Sequence, residues 1–162
     1  MNRFSFLSIA AFAFATLLAS GCGPAAPPVV KPDSAHDHPE VGPHKGHLIE
    51  LGAGEYHGEL THDDATKTVT IYLLGPDATT AIAIPDAEIT LNLVVAGEPM
   101  QVKLAAAKQE GDADGKASKF TIVDEKVLEA LEAPKTTGLL VVTIDGKQVS
   151  GPVAHDAHGH EH

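Results

Sequence analysis

Histidine is the residue type with the clearest capacity for chemistry in this chain, which has ten histidines among its 162 residues. The last eight residues combine four imidazoles with two carboxylates, at His155, Asp156, His158, His160, Glu161 and His162. Imidazole nitrogen and carboxylate oxygen together suit Zn²⁺, Cu²⁺ or Ni²⁺, and His-rich tracts are typical of metal binding. Residues 155–162 therefore predict a metal-binding tail, with a solvated polar tail as the alternative.

A second group of donors lies nearer the start of the chain, at His44, His47, His57 and Glu59. His57 and Glu59 are two positions apart, so in a β-strand they share one face. If the loop at Gly52 to Gly54 holds an odd number of residues, His47 lies on that face too. A change of one residue in the strand register would move His47 to the opposite face. We predict metal ligands here, with a surface His57 among exposed acids as the alternative.

Two further acidic segments favour turns over cation sites. The first is the run His62, Asp63 and Asp64, for which a metal role is the alternative. The second, from Glu110 to Gly115, resembles a calcium loop, but Thr121 stands where an EF-hand requires a bidentate Glu. We expect both segments to be turns.

Enzyme signatures are missing from the sequence, which has no G-x-S-x-G, no H-E-x-x-H and no phosphate-binding glycine loop. Its formal net charge is −11 at pH 7, with 22 Asp and Glu against 11 Lys and Arg. Nucleic-acid binding depends on contacts between phosphates and basic side chains, and this excess of acidic residues is unfavourable for such contacts. We therefore expect neither an enzyme nor a nucleic-acid-binding protein.

Residues 1–21 predict a secretory signal peptide. Arg3 supplies a positive start, an apolar run from Phe4 to Leu18 follows, and small residues precede Cys22. The apolar run is shorter than the about 20 residues that a lasting membrane helix needs. Export is therefore predicted, and a permanent membrane-spanning anchor is not.

The segment Leu18-Ala19-Ser20-Gly21-Cys22 resembles the lipobox of bacterial lipoproteins, although Leu18 lies one position further from the cysteine than in the common form. The resemblance implies that Cys22 is lipidated and anchors the protein in the membrane. Gly23 after it implies the outer membrane, with the domain facing the periplasm. Since Cys22 is the only cysteine, its lipidation excludes thiolate sites for zinc and iron–sulfur clusters.

The rest of the chain divides into three parts. Residues 22–46 are Pro-rich and predict a tether, residues 47–154 a β domain, and residues 155–162 the tail. Alternation of apolar and polar residues, as at Val69, Ile71 and Leu73, indicates half-buried strands. We predict an all-β domain: a small antiparallel, immunoglobulin-like β-sandwich of about seven or eight strands.

Local signals add two elements to that domain. Asp145-Gly146 lies between two apolar runs and predicts a tight hairpin. Asp124 can cap one short helix that ends before Pro134 and covers one end of the sandwich.

The run from Pro43 to Gly52, followed by Glu55 to Leu60, resembles a His- and Gly-rich segment near the N-termini of periplasmic adaptor subunits of heavy-metal efflux pumps and of small exported lipoproteins. The match covers about 18 residues, and Lys45 replaces a glycine of the pattern. The resemblance implies a small, metal-associated β domain in which His44, His47, His57 and Glu59 are the matching positions.

The sequence thus predicts an envelope lipoprotein that binds or buffers divalent transition metal ions through its His-rich segments. The candidate partners are the membrane, Zn²⁺, Cu²⁺ or Ni²⁺, and an envelope efflux or transport protein. The alternative is a non-catalytic structural or protein-interaction lipoprotein with a solvated His-rich tail.

Overall fold

A computed structural model describes residues 41–154 of the chain. Within that range the chain forms eight strands and one helix: β1 (His47–Leu51), β2 (Tyr56–Asp63), β3 (Thr68–Leu74), β4 (Glu88–Val95), β5 (Glu98–Ala107), β6 (Lys119–Val123), α1 (Glu125–Glu132), β7 (Thr137–Ile144) and β8 (Lys147–Ala154).

The eight strands form one antiparallel sheet in the order β1-β2-β3-β6-β5-β4-β7-β8. β5 joins its two halves, because it pairs with β4 over Glu98–Ala105 and with β6 over Ala105–Ala107. At the opposite side the outer strands meet: the Gly52 N–H at the end of β1 donates to the Ser150 carbonyl of β8, 3.3 Å away. The sheet is therefore nearly barrel-shaped.

The hydrophobic core lies inside the curved sheet. Strand alternation directs every second residue inward, and Gly58 of β2 has space for the Leu140 side chain of β7 on the facing half. The largest fully buried side chains are mostly aliphatic: Phe120, Ile49, Leu51, Ile71, Leu73, Leu74, Leu91, Leu93, Leu104, Leu131, Leu140 and Ile144. Each such burial contributes about 1.5–3 kcal/mol of transfer free energy to folding.

The predicted local elements are confirmed. Asp145 and Gly146 both have positive φ and join β7 to β8 as a two-residue hairpin. Asp124 caps α1 by accepting from the Lys126 N–H at 2.8 Å and from the Val127 N–H at 3.4 Å. The helix packs Val127, Leu128 and Leu131 against the core.

The predicted all-β class, the antiparallel pairing, the strand number and the single short helix agree with the structure in the part of the chain it describes. The strands form one continuous sheet, however, where an immunoglobulin-like sandwich has two. The physical reason is the length of β5, which continues past Leu104 far enough for Ala105–Ala107 to pair with β6.

Glu110 to Gly115 lies in the connection between β5 and β6 and forms turns, as expected. Asp112 fixes this loop by accepting hydrogen bonds from the Ser118 hydroxyl at 2.7 Å and from the Gln109 N–H at 2.9 Å. Burial by itself raises the pKa of Asp112, but these hydrogen bonds outweigh it and lower the pKa below its ordinary value. The carboxylate thus serves the loop's own structure.

Candidate functional site

The register between β1 and β2 decides which donors share a face. Leu51 pairs with Tyr56 across a four-residue loop, which places His47 opposite Leu60, and His57 opposite Glu50. Paired residues project from the same face of an antiparallel sheet. His57 and Glu59 therefore lie on the opposite face from His47, and the predicted convergence of these three side chains does not form, because the loop holds an even number of residues.

Glu59 is a fully buried carboxylate whose two oxygens accept three hydrogen bonds from the preceding chain. Its Oε1 accepts from the backbone N–H of His44 at 2.7 Å and of Gly46 at 2.8 Å, and its Oε2 contacts the His44 ring nitrogen Nδ1 at 2.7 Å. Charge-assisted hydrogen bonds of this kind offset the cost of burying a carboxylate. Glu59 thus orients His44, which differs from the direct metal-ligand role predicted for it.

The segment before β1 is shaped to surround this carboxylate. Val41 bridges to His47, and the Gly42 N–H donates to the Gly46 carbonyl at 3.0 Å. A Cβ on Gly42 would overlap the Glu59 carboxylate, and one on Gly46 would overlap the backbone of Leu60. Residues 41–46, assigned to the tether from their sequence, therefore pack on the domain as a clasp around Glu59.

The His44 imidazole is held on two sides. Its ring stacks on Tyr72, with centroids 3.7 Å apart and planes 5° apart, while 34% of the side chain stays exposed. Because a carboxylate accepts hydrogen bonds, Nδ1 carries the hydrogen towards Glu59 and Nε2 keeps its lone pair in the neutral ring. A carboxylate that fixes the tautomer and orientation of a His in this way is the usual outer partner of a metal-binding imidazole.

His57 has a different environment. Its ring is fully buried, and Nδ1 donates to the Gly75 carbonyl at 2.9 Å. This hydrogen bond connects β2 to the segment after β3, towards the far end of the sheet from His47. His57 lies on the opposite face from His47, and its full burial and backbone hydrogen bond favour a packing role for this predicted ligand.

Topology gathers the other histidines of the described chain at one end of the sheet. β1 begins there at His47, β2 runs there through His62, and β8 ends there at Ala154, because β1 and β8 are adjacent and run in opposite directions. The His-rich tail follows directly after Ala154. We call this region, with His44, His47, His62 and Ala154, the histidine end.

One group of donors at this end was not predicted as a unit. His62 Nε2 lies 3.9 Å from Asp64 Oδ1 and 3.9 Å from Glu132 Oε1. Glu132 ends α1, and no local spacing relates it to the β2–β3 turn, so only the fold reveals the group. The turn itself is confirmed: the Thr66 N–H and the Ala65 N–H both donate to Asp63 and lower its pKa.

The remaining predicted site residues, Cys22 and the tail histidines His155, His158, His160 and His162, lie outside the described residues, as does the predicted signal peptide. Among residues 41–154, no helix combines the length and apolar character that crossing a membrane demands. Comparisons with protein-family models, curated proteins and solved structures found no match. Function is therefore inferred from the chemistry of the residues themselves.

Proposed function

We propose that this protein is a lipid-anchored envelope protein that binds or buffers divalent transition metal ions at its histidine end. The observation that supports the proposal best is the His44 imidazole, oriented through Nδ1 by the buried Glu59 carboxylate. His47 and Ala154, the described residue that precedes the His-rich tail in the sequence, belong to the same end. Cys22 remains the proposed lipid anchor, with the domain facing the periplasm from the outer membrane.

The donor chemistry suits Zn²⁺, Cu²⁺ and Ni²⁺. Imidazole nitrogens bind these borderline cations in preference to Ca²⁺ or Mg²⁺, which take oxygen ligands. Tail residues must lose conformational entropy to wrap an ion, so we expect moderate affinity and rapid exchange. Those properties fit a buffer that passes metal to an envelope efflux or transport protein.

The test is calorimetric titration of the full-length chain with Zn²⁺ at neutral pH, compared with a chain that carries H44N, H47N and asparagine at the four tail histidines. The H44N side chain retains an N–H in place of Nδ1 and lacks Nε2, so the clasp around Glu59 is preserved. We expect the full-length chain to bind Zn²⁺ more tightly than about 100 µM, which corresponds to about −5.5 kcal/mol. The substituted chain should lose at least about tenfold in affinity, or about 1.4 kcal/mol.

Binding should also weaken between pH 7.5 and pH 5.5, because protons compete with the metal ion for the imidazole nitrogens. Equal affinity of both chains, or affinity weaker than about 100 µM for the full-length chain, contradicts the proposal. Affinity that weak would leave the alternative, a structural or protein-interaction lipoprotein, whereas equal and tighter affinity of both chains would place the metal ligands elsewhere in the chain.

A further inference from the structure

We propose that His62, Asp64 and Glu132 form a second binding site for a divalent transition metal ion, which connects the β2–β3 turn to the end of α1. One nitrogen and two carboxylate oxygens of these residues lie within 4.8 Å of one another. Although His62 lies at the histidine end, the site shares no ligand with the site of the proposed function, whose ligands are His44, His47 and the tail histidines. The two can therefore be tested, and fail, separately.

The distances fit a single ion. Metal–ligand bonds of about 2.1 Å separate two ligand atoms by about 3.4 Å at a tetrahedral angle and by at most about 4.2 Å. His62 Nε2 lies 3.9 Å from Asp64 Oδ1 and 3.9 Å from Glu132 Oε1, which is about 0.5 Å longer than the tetrahedral separation and below the upper limit. All three donor atoms lie within 4.8 Å of one another, and rotation of the two exposed carboxylates, 66% and 47% accessible, can bring their oxygens to the separation that one ion requires.

The position of each donor is fixed by its element. His62 belongs to β2 and is only 22% exposed. The turn that carries Asp64 is held by Asp63, which accepts from the Ala65 N–H at 2.9 Å and from the Thr66 N–H at 3.0 Å. Glu132 is the last residue of a helix anchored in the core by Leu131. Folding therefore fixes the backbone position of each ligand residue, and the two carboxylate side chains are left to be ordered by the ion.

The electrostatics of α1 supply a second, independent reason for a cation. The C-terminus of a helix carries a partial negative charge, which basic residues usually balance. The last turn of α1 has no basic residue and ends instead on Glu132. A cation bound by Glu132 and Asp64 would offset this unfavourable arrangement and pull the helix towards the sheet.

The ligand set selects the kind of metal. A partly buried imidazole is a poor partner for Mg²⁺ and Ca²⁺, which prefer oxygen. One nitrogen, two carboxylate oxygens and water in the open positions suit Zn²⁺.

The experiment uses the full-length chain with H44N, H47N and asparagine at the four tail histidines, which removes the ligands of the proposed function. In this background we compare E132Q, D64N and, as the matched control, E129Q, which removes the same charge one turn earlier from an exposed position of α1. Zn²⁺ at about ten times its Kd should raise the Tm of the background chain and of E129Q by several degrees.

E132Q and D64N should bind Zn²⁺ at least about tenfold more weakly than the background chain, a loss of about 1.4 kcal/mol in binding free energy. Without metal, their Tm should equal that of the background chain. Addition of Zn²⁺ should also shift the imidazole NMR signals of His62. The site is refuted if the background chain shows no response to Zn²⁺, if E132Q responds like E129Q, or if Mg²⁺ gives the same stabilisation as Zn²⁺.

Discussion

Glu59 is the residue that determines how His44 can act. Burying a carboxylate costs several kcal/mol unless hydrogen bonds replace its hydration, and Glu59 meets that requirement with two backbone N–H groups and the Nδ1 of His44. The same contact fixes the imidazole tautomer that leaves a lone pair on Nε2. The fold and the proposed metal affinity of His44 therefore both depend on this one side chain.

Replacing Glu59 with Gln should separate these two roles. The amide oxygen of E59Q can still accept from the backbone, but its NH₂ group faces His44 Nδ1, which must then accept and move the imidazole hydrogen to Nε2. We expect a loss of about 1–2 kcal/mol in unfolding free energy, weaker Zn²⁺ binding, and a changed ¹⁵N NMR tautomer pattern for His44. E98Q, at an exposed glutamate, is the control, and an unchanged His44 tautomer in E59Q would contradict this role.

At the scale of elements, the sequence predicts what short-range chemistry decides. Asp145-Gly146 and the Asp124 cap are recognisable because each depends on residues within one turn. The β1–β2 register was not predictable, since the length of the Gly52–Glu55 loop alone decides whether His47 faces His57. The sequence predicted a two-sheet sandwich for a similar reason, because the single continuous sheet depends on only three residues at the end of β5, which pair with β6.

Closure of the sheet depends on the close approach of β1 and β8 at Gly151, where a Cβ would overlap the Glu50 carbonyl oxygen. Backbone atoms cannot move aside as a flexible side chain can, so G151A should lower the unfolding free energy by about 1–3 kcal/mol. It should also speed hydrogen exchange of the Gly52 N–H, which donates to Ser150. Denaturant unfolding and exchange measurements test this.

The matched control is G75A, because a Cβ at Gly75 meets its neighbours at ordinary contact distances of 3.5–3.6 Å. We expect G75A to behave like the natural protein. If G151A and G75A have equal stabilities and equal exchange rates at Gly52, the proposed contact between the outer strands is wrong.

At the scale of the whole molecule, the fold divides the described histidines into two groups. His44, His47 and His62 belong to the histidine end, where the chain also continues into the tail after Ala154, while His57 is buried towards the other end. Sequence spacing showed that the histidines cluster, but strand order and direction are needed to bring the start of β1 and the end of β8 together. Glu132 lies near His62 only because α1 packs against the sheet, and no sequence motif predicts that packing.

The most direct test of metal binding at the histidine end is an NMR titration of the full-length chain, with labelled histidines, by Zn²⁺ at neutral pH. Signals of His44, His47 and the tail imidazoles should shift or broaden with the first added equivalents, because the proposed site takes its ligands from these residues. The signals of His57, fully buried and bonded to the Gly75 carbonyl, should stay in place. Unchanged signals from His44 and His47 at saturating Zn²⁺ would contradict the proposal.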